Sequence, residues 1–257
     1  MNDLNITLVQ ANQIWEDKSA NFQNYERLLA EITNTDLILL PEMFNTGFSM
    51  NASDLAEKME NSESIEWLKK TANNKQAAIY TSLIIQENEF YYNRGVFVEP
   101  NGTISIYDKQ KTFGLAGEDK VFSKGEKTMI VSYRGWNIKL QICYDLRFPE
   151  ISLNKHMNNE PQYDLLLYVA NWPERRNQHW KGLLPARAIE NQSYLAAVNR
   201  VGEDNSGLTY SGDSCVLDLL GNKIVEVSYE EQVFNVKISY SKQKELREKL
   251  PFLKDRV

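Results

Sequence analysis

The chain is poor in the side chains that most often announce a site. In 257 residues it has two histidines, His156 and His179, and two cysteines, Cys143 and Cys215. Scattered without paired spacing, these four do not make a zinc site. Two cysteines do not make a disulfide framework either, and a reducing cytoplasm is the expected compartment. A Cys–His dyad would have to use one of the two histidines. His156 is expected on a helix after Cys143, pointing to solvent, and His179 in a Trp-rich helical segment as a packing or hydrogen-bonded residue. There is no Gly-rich phosphate loop and no Gly-x-Ser-x-Gly elbow. Basic residues are in deficit, 29 Lys and Arg against 35 Asp and Glu, which argues against a nucleic-acid backbone as partner. No apolar run approaches the length of a membrane span. The start, Met1-Asn2-Asp3-Leu4-Asn5-Ile6, lacks a basic leader region and reads as the approach to a first strand. Small molecules are the ligand class that remains.

What is present is an alternation of strands and helices with no repeat or linker, expected as one domain over residues 1–257. An apolar content of 42% supports a sizeable core. Strands are expected at Leu4–Gln10, Asp36–Leu40 and Ala77–Ile85, with amphipathic helices at Lys18–Ile32 and Ser62–Asn74 between them. Phe90–Glu99 and Thr103–Lys109 flank Asn101-Gly102, a tight-turn signal, and Thr128–Tyr133 and Trp136–Ile142 flank Arg134-Gly135 in the same way. Asp164–Ala170, Tyr194–Val201, Thr209–Asp218 and Lys223–Val227 read as further strands. Glu174–Gln192 is helical in composition, with Pro185 expected to kink or break it, and Ser241–Lys249 is a charged terminal helix. Hairpins mixed with βαβ-like units point to an α/β layered sandwich.

Polar residues that close apolar strands are the candidates for chemistry. Cys143 ends the alternating run Ile138, Leu140, Ile142, and Phe148-Pro149-Glu150 reads as a helix start beyond it. Such an elbow holds a nucleophile at the edge of a sheet with free backbone N–H groups beside it. Glu42 closes the second strand and is followed by two apolar residues, where a carboxylate can be desolvated enough to act as a base. Lys109 closes the strand after the Asn-Gly turn; Lys111 is equally basic, and composition does not choose between them. Each of these has an ordinary alternative, a buried inert thiol or a solvated surface charge.

Taken together, four segments resemble the nitrilase (carbon–nitrogen hydrolase) superfamily: Leu40-Pro41-Glu42-Met43-Phe44, Tyr107-Asp108-Lys109, Ile142-Cys143-Tyr144-Asp145-Leu146-Arg147-Phe148-Pro149-Glu150, and Arg187-Ala188-Ile189-Glu190-Asn191-Gln192. The similarity runs from the first strand to about Glu226. Within the superfamily the segments Glu42–Met50, Tyr168–Pro173 and Asn199–Gly202 are similar to the bacterial ω-amidase branch. One departure is the run Lys111-Thr112-Phe113, where the family usually has His-Leu-Phe.

The resemblance implies a four-layer αββα sandwich, pairing to αββααββα in a homodimer, and hydrolysis of the terminal amide of 2-oxo-acid monoamides. It implies Glu42 as general base, Cys143 as nucleophile, Lys109 with the backbone N–H of Tyr144 as oxyanion donors, and Glu118 as a second glutamate that positions substrate. No metal or organic cofactor is implied. A carboxylate-bearing substrate needs a cationic anchor. Arg147 is a candidate, although a salt bridge to a neighbouring acid is an equal expectation for it, and Arg175 and Arg176 are alternatives, with Trp172 lining the pocket.

Overall fold

Alternation at period two decides which way each strand sends its side chains, and here it builds four layers. The computed structural model describes residues 3–157 and 160–256. The strands run in the order β1 (Leu4–Gln10), β2 (Leu37–Leu39), β3 (Ala78–Glu87), β4 (Phe90–Val98), β5 (Ile104–Asp108), β6 (Ile130–Tyr133) and β7 (Trp136–Ile142). A two-residue ribbon, β8 (His156–Met157) with β9 (Glu160–Pro161), precedes β10 (Leu165–Ala170), β11 (Tyr194–Asn199), β12 (Val201–Glu203), β13 (Thr209–Leu217), β14 (Lys223–Ser228) and β15 (Gln232–Ile238). One sheet has the order β15-β1-β2-β3-β4-β5; the other runs β12-β13-β11-β10-β7-β6, with β14 paired to β13.

Leu4, Ile6 and Leu8 of β1, with Leu37 and Leu39 of β2, meet Ile138, Leu140 and Ile142 of β7 in one core between the sheets. The intervening residues Val9, Ile38 and Ile79 turn the other way, onto the helices Lys18–Leu29 and Glu63–Lys75. On the far side, Trp180, Leu184 and Ala188 of the helix Asn177–Asn191 cover the second sheet. The order is therefore αββα, as expected. Asp17 and Ser62 cap the first two helices by accepting from the Ala20 and Ile65 N–H groups. At the β6–β7 turn, Arg134 and Gly135 both have positive φ, as a two-residue hairpin loop requires.

Three expectations change. The helix Asn177–Asn191 continues through Pro185 without a break. Pro185 forfeits one intrahelical hydrogen bond, but the apolar residues on either side of it, Leu184 and Ala188, are buried. The chain after Cys143 is a 3₁₀ turn over Cys143–Arg147 and a single helical turn over Pro149–Ser152, so His156 lies on the β8 ribbon and not on a helix. Strand β15 has no counterpart among the expected elements, although Phe234, Val236 and Ile238 alternate; it pairs antiparallel along the whole of β1.

Candidate active site

Strand ends bring the candidate residues together. Glu42 follows β2 at a sharp reversal, where Met43 has φ +45°. The reversal is held from several sides: Gln13 Nε2 donates to the Glu42 and Met43 carbonyls at 2.9 and 3.1 Å, Met43 N–H donates to Ser82 Oγ at 2.9 Å, and Asn171 Nδ2 donates to the Glu42 carbonyl. The Glu42 carboxylate is fully buried and accepts from Lys109 Nζ at 2.8 Å, Asn93 Nδ2 at 2.7 Å and the Asn171 N–H at 2.9 Å.

Lys109 is 1% exposed at the end of β5, with its N–H bonded to the Asn93 carbonyl on the adjoining β4 chain. Its ammonium lies 2.9 Å from both oxygens of Glu118, as well as bonding Glu42. Burial opposes that charge, but Glu118 and Glu42 outweigh burial and hold the lysine pKa well above its ordinary value. Glu118 starts a one-turn helix, Glu118–Val121, and is as buried as Glu42. It is no surface-loop residue. Asn93 Nδ2 bridges the two carboxylates, 2.7 Å from Glu42 and 3.1 Å from Glu118.

Cys143 ends β7 at φ +41°, a left-handed conformation that a non-glycine residue rarely adopts and that concentrates at functional sites. Its Sγ lies 4.0 Å from the Asn171 carbonyl. Burial pushes the thiol well above the usual range, and the neighbouring Glu42 and Glu118 charges add to that while Lys109 opposes it. The groups acting on the thiol are thus two carboxylates and a lysine. His179 is exposed on the helix Asn177–Asn191, 3.1 Å from Arg147 through Nδ1.

Cys143 and Lys109 line a cavity of about 460 Å³. Tyr144 and Trp172 line it too, as do the three arginines Arg147, Arg175 and Arg176. Arg147 sits over the Trp172 ring at 4.7 Å and the Tyr144 ring at 5.8 Å. Arg176 lies over Phe113 at 5.0 Å; burial, and next the charge of Arg175, pull its pKa down. Trp172 is itself fixed, its ring N–H donating to the Arg176 carbonyl at 2.8 Å. Among the described residues none of these three arginines forms a salt bridge, so the neighbouring-acid expectation for Arg147 is not met. Lys111 instead points away, toward Glu150 at 3.4 Å. Among the described residues no group of three His, Cys, Asp or Glu side chains is arranged to hold a metal ion.

The unusual Lys111-Thr112-Phe113 run is supported through its backbone. Lys111 N–H donates to Asp145 at 2.9 Å, and Phe113 N–H donates to Glu118. Backbone amides come with any residue type, so neither bond depends on which side chains stand at Lys111 and Phe113.

Three residues of the site were not singled out from sequence: Asn93, Asn171 and Asp145. Asn171 carried the same signal as Glu42 and Cys143, since it is the polar residue that closes the wholly buried strand β10. Asn93 lies within a strand and gave no such signal.

The carbon–nitrogen hydrolase family model matches residues 5–248, past the Glu226 limit of the resemblance and through β15. The chain is 41% identical to the Omega-amidase YafV of Escherichia coli, over 99% of this chain and 97% of the relative. It is 32% identical to the 2-oxoglutaramate amidase of Bacillus subtilis, over 97% and 96%. A CN-hydrolase superfamily protein of Xanthomonas campestris, solved with an arsenic adduct in its active site, superposes with a TM-score of 0.97 at 40% identity, over 99% of this chain and 97% of that one.

Proposed function

The chain belongs to the carbon–nitrogen hydrolase family, and from that premise we propose that it is an ω-amidase. It hydrolyses the terminal amide of 2-oxo-acid monoamides, such as 2-oxoglutaramate and 2-oxosuccinamate, to the dicarboxylate and ammonia. The 2-oxoglutaramate amidase and Omega-amidase relatives support this substrate class.

The observation that carries the chemistry is the buried Lys109 ammonium, bound to two carboxylates and sharing a cavity wall with Cys143. Lys109 is held too firmly charged to take a proton, so its role is electrostatic. The thiol is kept protonated by burial and by Glu42 and Glu118, so the nucleophile must be released at the moment of attack. Glu42, beside the thiol, takes that proton as the sulfur adds to the amide carbon. The oxyanion is met by Lys109 Nζ and the Tyr144 N–H in the first turn after the elbow, donors of a kind that supply roughly 3–4 kcal/mol each. Glu42 returns the proton to the amide nitrogen, the C–N bond breaks, and ammonia leaves a thioester on Cys143. Water, deprotonated by Glu42, then hydrolyses the thioester and restores the thiol. Glu118 anchors Lys109 from behind: it is fully buried and does not line the cavity, so it acts on the substrate through the lysine. Arg147, stacked on Trp172 and without a carboxylate partner among the described residues, receives the substrate carboxylate, with Arg175 and Arg176 nearby.

The same reading has the chain working as one domain in a cytoplasmic homodimer, with no metal or organic cofactor. The free Cys143 and Cys215 support a reducing compartment.

Ammonia release from 2-oxoglutaramate tests the chemistry. Cys143→Ala should lower turnover by at least about a thousandfold, as loss of a nucleophile does. Turnover within tenfold of the parent would remove Cys143 from the mechanism.

A further inference from the structure

We infer that Asp145 is the positioning residue of this site, its carboxylate setting the placement of the Lys109 ammonium relative to the Cys143 thiol. The inference rests on the reading of those two groups as the reacting pair. Asp145 lies two residues past Cys143 and is fully buried. One of its oxygens accepts from the Tyr107 hydroxyl at 2.8 Å and from the Ile142 N–H at 3.1 Å, and the other accepts from the Lys111 N–H at 2.9 Å.

The identity of these donors is the argument. Tyr107 and Lys111 bracket Lys109, two residues to either side, and Ile142 immediately precedes Cys143. A single carboxylate therefore holds both strand ends. Those ends belong to different sheets, β5 at the edge of one and β7 within the other, with no strand ladder between them. Apolar faces packed together resist separation but are not directional, whereas hydrogen bonds fix both distance and angle. Bonds to an ionised acceptor are the stronger kind. The Ile142 bond also closes the turn in which Cys143 is held at positive φ. Burial pushes the Asp145 carboxyl up to about 6, while Tyr107 and Lys109 pull it back, so the carboxylate is ionised at neutral pH.

Asparagine matches the shape of Asp145 but not its bonding. An amide NH₂ facing Lys111 N–H, or facing Tyr107 and Ile142, sets donor against donor. Asp145→Asn should lower kcat by about a hundredfold, the scale of a misplaced reacting group, with KM within about threefold of the parent. Alkylation of Cys143 by iodoacetamide, followed by peptide mass, should slow about tenfold, because Lys109 displaced from the thiol no longer favours the thiolate. Tyr107→Phe removes one donor of the three and should lower kcat severalfold with KM unchanged. A folded Asp145→Asn protein with parental kcat, or with its whole loss in KM, would overturn the assignment. If that variant does not fold, Tyr107→Phe decides: parental kcat and parental alkylation together would overturn it. A parent enzyme inactive on 2-oxo-acid amides would instead fail the substrate reading, and the alkylation comparison would still judge Asp145.

Discussion

Lys109 at the end of β5 and Lys139 within β7 are both buried, 1% and 4% exposed, yet their surroundings are opposite. Two carboxylates hold Lys109, and its charge is secured against burial. Lys139 has the Leu153 carbonyl at 3.4 Å and the Tyr163 ring at 5.4 Å, with no carboxylate partner among the described residues. Burial, and after it the charge of Lys155, pull it down to about 8. Burial alone does not make a lysine functional. Counter-charges turn Lys109 into a permanent cation on the cavity wall it shares with Cys143, while the same burial leaves Lys139 a liability to the fold.

Removing Lys109 should break this contrast most severely. Lys109→Met is expected to lower turnover by at least about a thousandfold. It should also destabilise the fold by about 3–5 kcal/mol, because Glu42 and Glu118 are left buried without their cation. Ammonia assays and denaturant melts check the two effects separately.

At the cavity wall, Arg147→Ala should raise KM for a 2-oxo-acid amide by roughly tenfold to a hundredfold, the worth of a charged hydrogen bond, with little change in kcat. An amide lacking the carboxylate should show no such difference in steady-state kinetics.

Lys139→Met sharpens the comparison from the other side. Lys139 has a folded-state pKa of about 8, below the ordinary lysine value, so the unfolded chain binds the extra proton between about pH 8 and 10. Parent stability should therefore rise with pH through that window, and the penalty should be complete below it. The methionine variant should lose the rise and gain on the order of 2–3 kcal/mol at pH 7, with turnover unchanged. Unfolding midpoints measured across pH 7–10 test this.

Lys111→Ala should do least. Its side chain reaches toward Glu150 and Phe148, and Asp145 uses its backbone N–H. Stability should stay within about 0.5 kcal/mol of the parent, and a large loss of activity would mean that the oxyanion lysine is misassigned.

Much of this arrangement was legible in the sequence, for a physical reason. Side chains able to do chemistry stand out where strands end, and Glu42, Lys109 and Cys143 follow the ends of β2, β5 and β7 by three, one and one residues. Composition did not choose between Lys109 and Lys111, because the choice depends on which side chain turns inward toward Glu42 and Glu118; only the family resemblance pointed to Lys109. The burial of Glu118 was not legible either, because it comes from the one-turn helix Glu118–Val121 that carries it inside. Asn93 and Asp145 act by bridging elements distant in the chain, and local pattern does not report such contacts. Strand β15 showed its alternation, but its pairing with β1 joins the two ends of the chain. At Pro185, packing of Leu184 and Ala188 overrode a local helix breaker.

The most direct test is ammonia release from four substrates side by side: 2-oxoglutaramate, glutaramate, a simple nitrile and a carbamoyl amino acid, with Cys143→Ala as control. The account predicts the highest kcat/KM for 2-oxoglutaramate, abolished in the variant. Faster release from the nitrile or the carbamoyl compound would contradict the ω-amidase reading, and release that survives Cys143→Ala would contradict the mechanism.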